Sequence, residues 1–361
     1  MPEVLLVSKP IAPPWTDSNK NLVRDLATAM TRWTPTVMTT RGASLQGVRA
    51  EGIYPDAGRY APSRLANARV LSRLALGRRG DLWHFFFAPN PLTLRAGAVA
   101  RSLRRVPTVH TIASAPDDLE RVAPMLFADA VVALSEHTAR RLAAVGVRAE
   151  VILPAQRPVS VTAEAIERAR ARHGLPARYA LYPGDLEFSD GAETFLDAAA
   201  RARGSGLGFV IASRPKTPRA LAAAEALTAR ARARAVPLTM LGEIDDIHAV
   251  VAGAVATTLV VNTLHAKMDL PLVVLESLLL GVPAIVAKGT AAEELCVSGG
   301  VVALPPGDGA GLADMLGALG EDPSRRAELA VAGARWVASS CSPAAVASRY
   351  ESLYDRVLAA R

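Results

Sequence analysis

Short, continuous aliphatic runs alternate along the whole chain with longer stretches in which apolar positions recur at helical spacing. Continuous runs suit strands buried on both faces of a parallel sheet, and the longer stretches suit amphipathic crossover helices. In the first half the pattern predicts strands at residues 4–7, 35–39, 82–87, 107–110, 130–134 and 150–153. Helices are expected over 19–31, 92–103 and 136–145, with Asp17 or Ser18 as the N-cap of the first. Prolines at 154 and 158 interrupt the alternation, and a basic helix over 163–172 follows. Strands then return at 179–182, 207–212, 238–241, 257–261, 284–287 and 300–304, and helices at 309–317, 324–338 and 343–360 close the chain. The fold class expected is α/β, with two Rossmann-like doubly wound parallel sheets. The boundaries expected are 1–158, 159–342 and a final helix over 343–361.

Composition supports that division. A chain of 361 residues that is 50% hydrophobic can bury two cores, and 5% aromatic content leaves the packing mostly to Ala, Val and Leu. Two cysteines make neither a disulfide framework nor a metal cluster, and six scattered histidines lack zinc-site spacing, so no metal is expected. A strand starting near residue 4 leaves no room for a signal peptide, and no apolar run is long enough to cross a bilayer. These features predict a soluble cytoplasmic protein. Charge is uneven: residues 1–150 hold 20 Lys+Arg against 12 Asp+Glu, and the rest holds 21 against 22. Arg64, Arg69, Arg73, Arg78 and Arg79 form one cluster, and Arg101, Arg104 and Arg105 another. Solvated helix faces come first as an explanation and peripheral contact with an anionic inner membrane second. Nucleic acid is not expected as a partner, because no recognised motif accompanies the charge.

The most informative stretch runs from Lys267 and Met268 through Asp269, Leu270, Pro271 and Leu272 to Glu276, and a Gly281-Val282-Pro283 turn leads from it into a strand. A polar loop entering a helix through proline offers free N–H groups and the positive end of a helix dipole to an anion. Glu276, deeper on that helix, can accept from hydroxyls. Phosphate at the tip and sugar hydroxyls beside it describe a nucleotide-sugar site.

With its flanks, this segment resembles the E-x7-E motif of retaining glycosyltransferases of family 4. Glu276 falls on the second Glu and Met268 on the first. The resemblance extends to Pro107-Thr108-Val109-His110, similar to a strand ending in a cleft-facing histidine, and to the strand that ends at Ser135. It continues in the Gly184-Asp185-Leu186 to Asp190-Gly191 segment, similar to G-R-L-x-x-x-K-G, in the strand-end Gly242, and in the Glu294-Leu295 of a short helix. It implies the GT-B fold, with an amino-terminal acceptor domain, a carboxy-terminal donor domain, and a final helix that crosses back to the first. It also implies metal-independent, retaining sugar transfer from a nucleotide diphosphate, with no cofactor. The acceptor hydroxyl would belong to a saccharide, a lipid-linked saccharide or a small natural product.

Departures from the pattern are concentrated at the donor site. Asp185 and Asp190 stand where the family has the Arg and Lys that grip the diphosphate, and Met268 is a poor acceptor in place of Glu. Lys267, Arg214 and Lys216 are the expected substitute cations. His110, Lys267 and Asp269 are the expected catalytic residues. Donor contacts fall to Glu276, Leu270, Pro271, Leu272, Gly184, Asp185, Asp190, Arg214, Lys216 and Gly242. Acceptor contacts fall to Lys9, Trp15 and Lys20, the indole in a stiff proline loop suited to stacking. A GT-B-fold binding subunit without catalysis, and a phosphorylase or epimerase on the same fold, are the alternatives.

Overall fold

Thirteen strands account for the two sheets of the structure, a computed structural model that describes residues 1–15, 17–56, 63–78, 80–114, 116, 118–187, 189–215, 217–261 and 269–360. The chain divides into two units. The first is Met1–Arg157 with Met268–Leu270 and Ser340–Arg361, and the second is Pro158–Lys267 with Pro271–Ser339.

The first unit starts with β1 (Glu3–Val7), α1 (Ser18–Ala29), β2 (Thr34–Thr40), β3 (Arg49–Tyr54), α2 (Arg64–Leu76), β4 (Leu82–Phe85) and α3 (Pro91–Ala98). A π-helical turn (Val99–Arg104) then leads to β5 (Thr108–Ile112), α4 (Leu119–Val122), β6 (Ala130–Ala133), α5 (Glu136–Ala144) and β7 (Ala149–Val151). All its strands pair in parallel in the order β3-β2-β1-β4-β5-β6-β7, so the direction of winding reverses between β1 and β4. Asp17 is the N-cap of α1, accepting from the N–H groups of Asn19 and Lys20. Several details depart from the sequence pattern: β4 and β7 each end two residues earlier than expected, at Phe85 and Val151. Strand β3 has too polar a face to read as buried, because it is the sheet edge. The helix expected over 92–103 changes to π geometry at Val99. Strand β5 runs two residues beyond His110.

The second unit comprises α6 (Ala163–His173), β8 (Tyr179–Tyr182), α7 (Gly191–Arg201), β9 (Gly208–Ala212), α8 (Pro218–Ala233), β10 (Leu238–Leu241), α9 (Ile247–Ala252) and β11 (Ala256–Leu259). It continues with α10 (Leu272–Leu279), β12 (Ala284–Ala287), a 3-10 helix (Ala291–Ser298), β13 (Val301–Leu304), α11 (Gly309–Glu321) and α12 (Pro323–Ser340). The parallel order is β10-β9-β8-β11-β12-β13, with the switch between β8 and β11. Alternation along each strand feeds two cores. Ala180, Tyr182, Phe209 and Ile211 join one cluster with Phe195 and Leu316, and Tyr179, Leu181 and Val210 join the other with Val250 and Val251. Each large side chain fully buried this way contributes about 1.5–3 kcal/mol.

The last helix, α13 (Pro343–Ala359), belongs to the first unit, and its fixing there is polar as well as apolar. Glu351, 1% exposed, accepts through Oε1 from the N–H groups of Thr31 (2.8 Å), Arg32 (2.6 Å) and Trp33 (3.1 Å), the chain entry to β2. Trp33 Nε1 donates to Asp355 at 2.8 Å. Tyr354 and Thr111 hold the two ring nitrogens of buried His84, and Thr111 meets Tyr350 at 3.0 Å. Burial pushes the His84 pKa well below the usual histidine range, so the ring is neutral. Replacing Glu351 by Ala strands three N–H groups at once. The expected loss is about 3 kcal/mol or more of unfolding free energy in a urea titration. A loss under about 1 kcal/mol would show that water replaces the carboxylate.

Candidate active site

Because every strand of the second unit runs the same way, the loops after β8, β9 and β10 and the entry to α10 share one edge of the sheet. The β8/β11 switch point opens at that edge, where doubly wound sheets bind ligands. Tyr182, the last residue of β8, shapes the first loop. Its buried ring lies so close under the chain that a Cβ on Gly184 would come within 2.3 Å of Cζ, and one on Gly191 within 2.9 Å of Cε2. Its hydroxyl meets Ser189 Oγ at 2.9 Å and the Asp185 carbonyl at 3.3 Å. Burial raises the Tyr182 pKa, and the nearby Asp185 and Asp190 add to that. Asp185 Oδ1 accepts from the Glu187 N–H at 2.8 Å, and Asp190 occupies the N-cap position of α7. Both aspartates are therefore built into the turn.

The next loops supply cations and space. Arg214, just beyond β9, forms an ion pair with Glu243 at 3.5 Å, and Thr217 bonds to Glu187 across the same edge. Gly242 is exposed, with open space where a Cβ would lie. Beside it Ser213, Pro215, Leu221, Met240 and Leu241 contribute to a groove of about 430 Å³ between α8 and the ends of β9 and β10.

Helix α10 begins differently from the sequence expectation. Pro271 is the N-cap (φ −64°, ψ 113°) and lies one place before the first turn. No side chain caps this end, and no acid stands in the first turn, so the donors of the tip are the N–H groups of Leu272 and Val273. Glu276 follows one turn on, half-buried on the same side as Leu272. Leu270 is fully buried. Lys216, Lys267 and Met268 lie outside the described residues.

Asp269 has an environment that the sequence did not disclose. It is 4% exposed, and its oxygens accept from Ser135 Oγ and Thr138 Oγ1, each at 2.6 Å, while its N–H donates to the Ala113 carbonyl at 3.1 Å. Desolvation raises its pKa against the pull of those two hydroxyls. A carboxylate so enclosed is an anchor for its segment.

His110 is enclosed as well. It is the third residue of β5, fully buried among Phe85, Phe87 and Phe127, with Nε2 2.9 Å from the Phe87 carbonyl. Burial lowers its pKa to about 4, so it is a neutral core histidine. The residues expected at an acceptor lie in the β1–α1 loop (Lys9 and Trp15) and the first turn of α1 (Lys20). Lys9 pairs with Asp17 at 3.1 Å, and buried Lys20 donates to the Ala12 carbonyl at 3.2 Å. Desolvation lowers the Lys20 pKa. The half-buried Trp15 ring stacks against the Arg24 guanidinium, 4.8 Å from its centroid. Tyr182, Glu187, Ser189 and Glu243 were missed. Only the glycines at 184 and 191, spaced around a large side chain, could have pointed to Tyr182. Among the described residues no group of three or more His, Cys, Asp or Glu gathers as a metal site would require.

The family model of the glycosyl transferases group 1 matches residues 177–322, the stretch that holds the loops after β8, β9 and β10 and all of α10. This stretch is a group 1 glycosyl transferase domain. The architecture of the chain is the GT-B fold. A crystal structure of Anabaena Alr3699/HepE in complex with UDP-glucose is similar at a TM-score of 0.77 and 16% identity, covering 98% of this chain and 100% of that one. Sucrose-phosphate synthase from Thermosynechococcus elongatus is similar at 0.75 and 18%, covering 100% of both chains. An α,α-trehalose-phosphate synthase from Burkholderia vietnamiensis is similar at 0.74 and 14%, covering 99% of both. Comparison with curated proteins gives no match. At these identities the likeness establishes the fold. In the group 1 domain the glycine-lined turn after β8 and the uncapped end of α10 are what the local chemistry contributes.

The anchor can be measured directly. In a double-mutant cycle of Asp269→Ala with Thr138→Val, the coupling expected in unfolding free energy is about 1–3 kcal/mol. Additive losses, within about 0.5 kcal/mol, would contradict the role given to Asp269.

Proposed function

We propose that the protein is a retaining glycosyltransferase that moves a sugar from a nucleotide diphosphate onto an acceptor hydroxyl of a saccharide, a lipid-linked saccharide or a small molecule. The observation that carries this reading is the uncapped N-terminus of α10 with Glu276 one turn behind it, inside the group 1 domain. The tip N–H groups and helix dipole take the diphosphate, and Glu276 accepts from ribose hydroxyls. The groove beside Gly242 has the size and apolar walls of a base site.

In the reaction, the bond from the sugar's anomeric carbon to the phosphate oxygen breaks and a bond to the acceptor oxygen forms on the same face. The acceptor's proton passes to the departing phosphate. Charge accumulates on that phosphate, so donors fixed in advance at the helix tip act where stabilisation counts most. Arg214, Lys216 and Lys267 are assigned to the same charge. Lys9, Trp15 and Lys20 are assigned to the acceptor. In this reading the protein resides in the cytoplasm, and its basic first unit makes peripheral contact with the inner membrane surface. Among the described residues no helix is long and apolar enough to cross a membrane.

One observation favours a second reading, a binding subunit without turnover. The carboxylates of Asp185 and Asp190 stand in the turn where the resemblance has Arg and Lys, and they oppose a diphosphate. Calorimetry separates the readings from a misassigned site. Uridine diphosphate is the first ligand to test, since one similar structure holds UDP-glucose. Glu276→Ala is expected to weaken nucleoside-diphosphate binding by roughly 10–100-fold, the worth of charge-assisted hydrogen bonds. Binding without donor turnover in the presence of acceptors would favour the subunit. Failure of the folded protein to bind any nucleoside diphosphate would sink the transferase reading.

A further inference from the structure

One face of the first unit combines exposed leucines with a nearly pure arginine charge. Residues 64–105 contain nine arginines and a single acid, Asp81, whose carboxylate accepts from the Glu3 N–H. On α2 the exposed positions Leu65, Arg69, Ser72 and Leu76 recur at helical spacing and form one stripe. The opposite side of α2, with Ala66 and Leu74, packs into the core against Trp83 and Phe85. Leu65 is 59% exposed, Leu76 84%, Leu94 41% and Leu103 61%, four of the nine large hydrophobic side chains exposed among the described residues.

Two arginines hold this surface together. Arg73 pairs with Glu51, and Arg104 donates to the carbonyls of Ala75 (3.0 Å) and Gly77 (2.6 Å). The second contact sets the π-helical turn that carries Leu103 against the end of α2 that carries Leu76. Arg64, Arg69 and Arg95 are exposed around them. Glu3 pairs with Arg78 at 2.6 Å, so Arg73 and Arg78 are balanced by acids of β3 and β1, and the exposed charge rests on the others. Isolated exposed leucines are ordinary; leucines grouped among exposed arginines on packed helices are not.

We infer that the face formed by α2, α3 and the π-helical turn docks on an anionic lipid surface. Leucine side chains would enter the headgroup boundary while the guanidinium groups meet lipid phosphates. Lipid is favoured over nucleic acid because none of the exposed large hydrophobics among the described residues is aromatic, whereas single strands are bound by stacking on aromatic rings. The inference gives a location and a lipid chemistry to the membrane contact proposed above, and it does not depend on sugar transfer.

Co-sedimentation with vesicles tests it without donor or acceptor present. The full-length protein is expected to bind phosphatidylcholine vesicles containing phosphatidylglycerol and to ignore phosphatidylcholine alone. The exposed-site variants Leu65→Ser/Leu76→Ser and Arg69→Glu/Arg95→Glu should each weaken binding by about tenfold or more. Both should keep the parent's thermal unfolding and nucleoside-diphosphate affinity. Equal binding to neutral vesicles, or unchanged binding by either variant, would overturn the inference. So would binding to single-stranded RNA with no binding to anionic vesicles, or self-association abolished by the leucine changes without vesicle binding.

Discussion

Parallel strands cannot be joined by hairpins, and the site of this protein follows from that constraint. Each connection must travel back across a face of the sheet as a helix, so every strand ends, and every helix begins, along one edge. In the second unit that edge gathers the turn after β8, the cation-bearing loop after β9, Gly242 after β10 and the start of α10. Where the winding reverses, between β8 and β11, no crossover helix covers the opening. The same rule makes strands buried on both faces, which is why four-residue runs such as Tyr179–Tyr182 suffice for the core.

Local chemistry then decides what that edge can hold. A proline N-cap contributes no capping side chain, so the end of α10 has no side-chain cap, while α1, α5, α6 and α8 close theirs with Asp17, Ser135, Thr162 and Thr217. Asp269 is spent differently. Its oxygens are satisfied by Ser135 and Thr138, and the first of these also caps α5. One hydroxyl thus organises a helix end and a buried carboxylate together.

The periodicity of the chain disclosed most of the sheet strands and the two-unit plan, because continuous burial leaves a plain hydrophobic signature. Strand β3 escaped because an edge strand keeps polar residues. His110 looked like a strand-end residue only because β5 was read two residues short, and its aromatic cage comes from positions 85, 87 and 127, which are remote in sequence. The sequence does not show that Lys20 is buried and that its ammonium reaches a carbonyl eight residues back. The partners of Asp269 lie more than a hundred positions away, beyond any spacing rule. The start of α10 at Pro271 was legible because helix chemistry is local.

The central claim is that α10 presents its uncapped end to the diphosphate of a nucleotide. A crystal structure of the protein with a bound nucleoside diphosphate tests this most directly. The account predicts phosphate oxygens within hydrogen-bond distance of the Leu272 and Val273 N–H groups and ribose hydroxyls on the Glu276 carboxylate. A nucleotide bound with its phosphates away from α10, and Glu276 untouched, would contradict it.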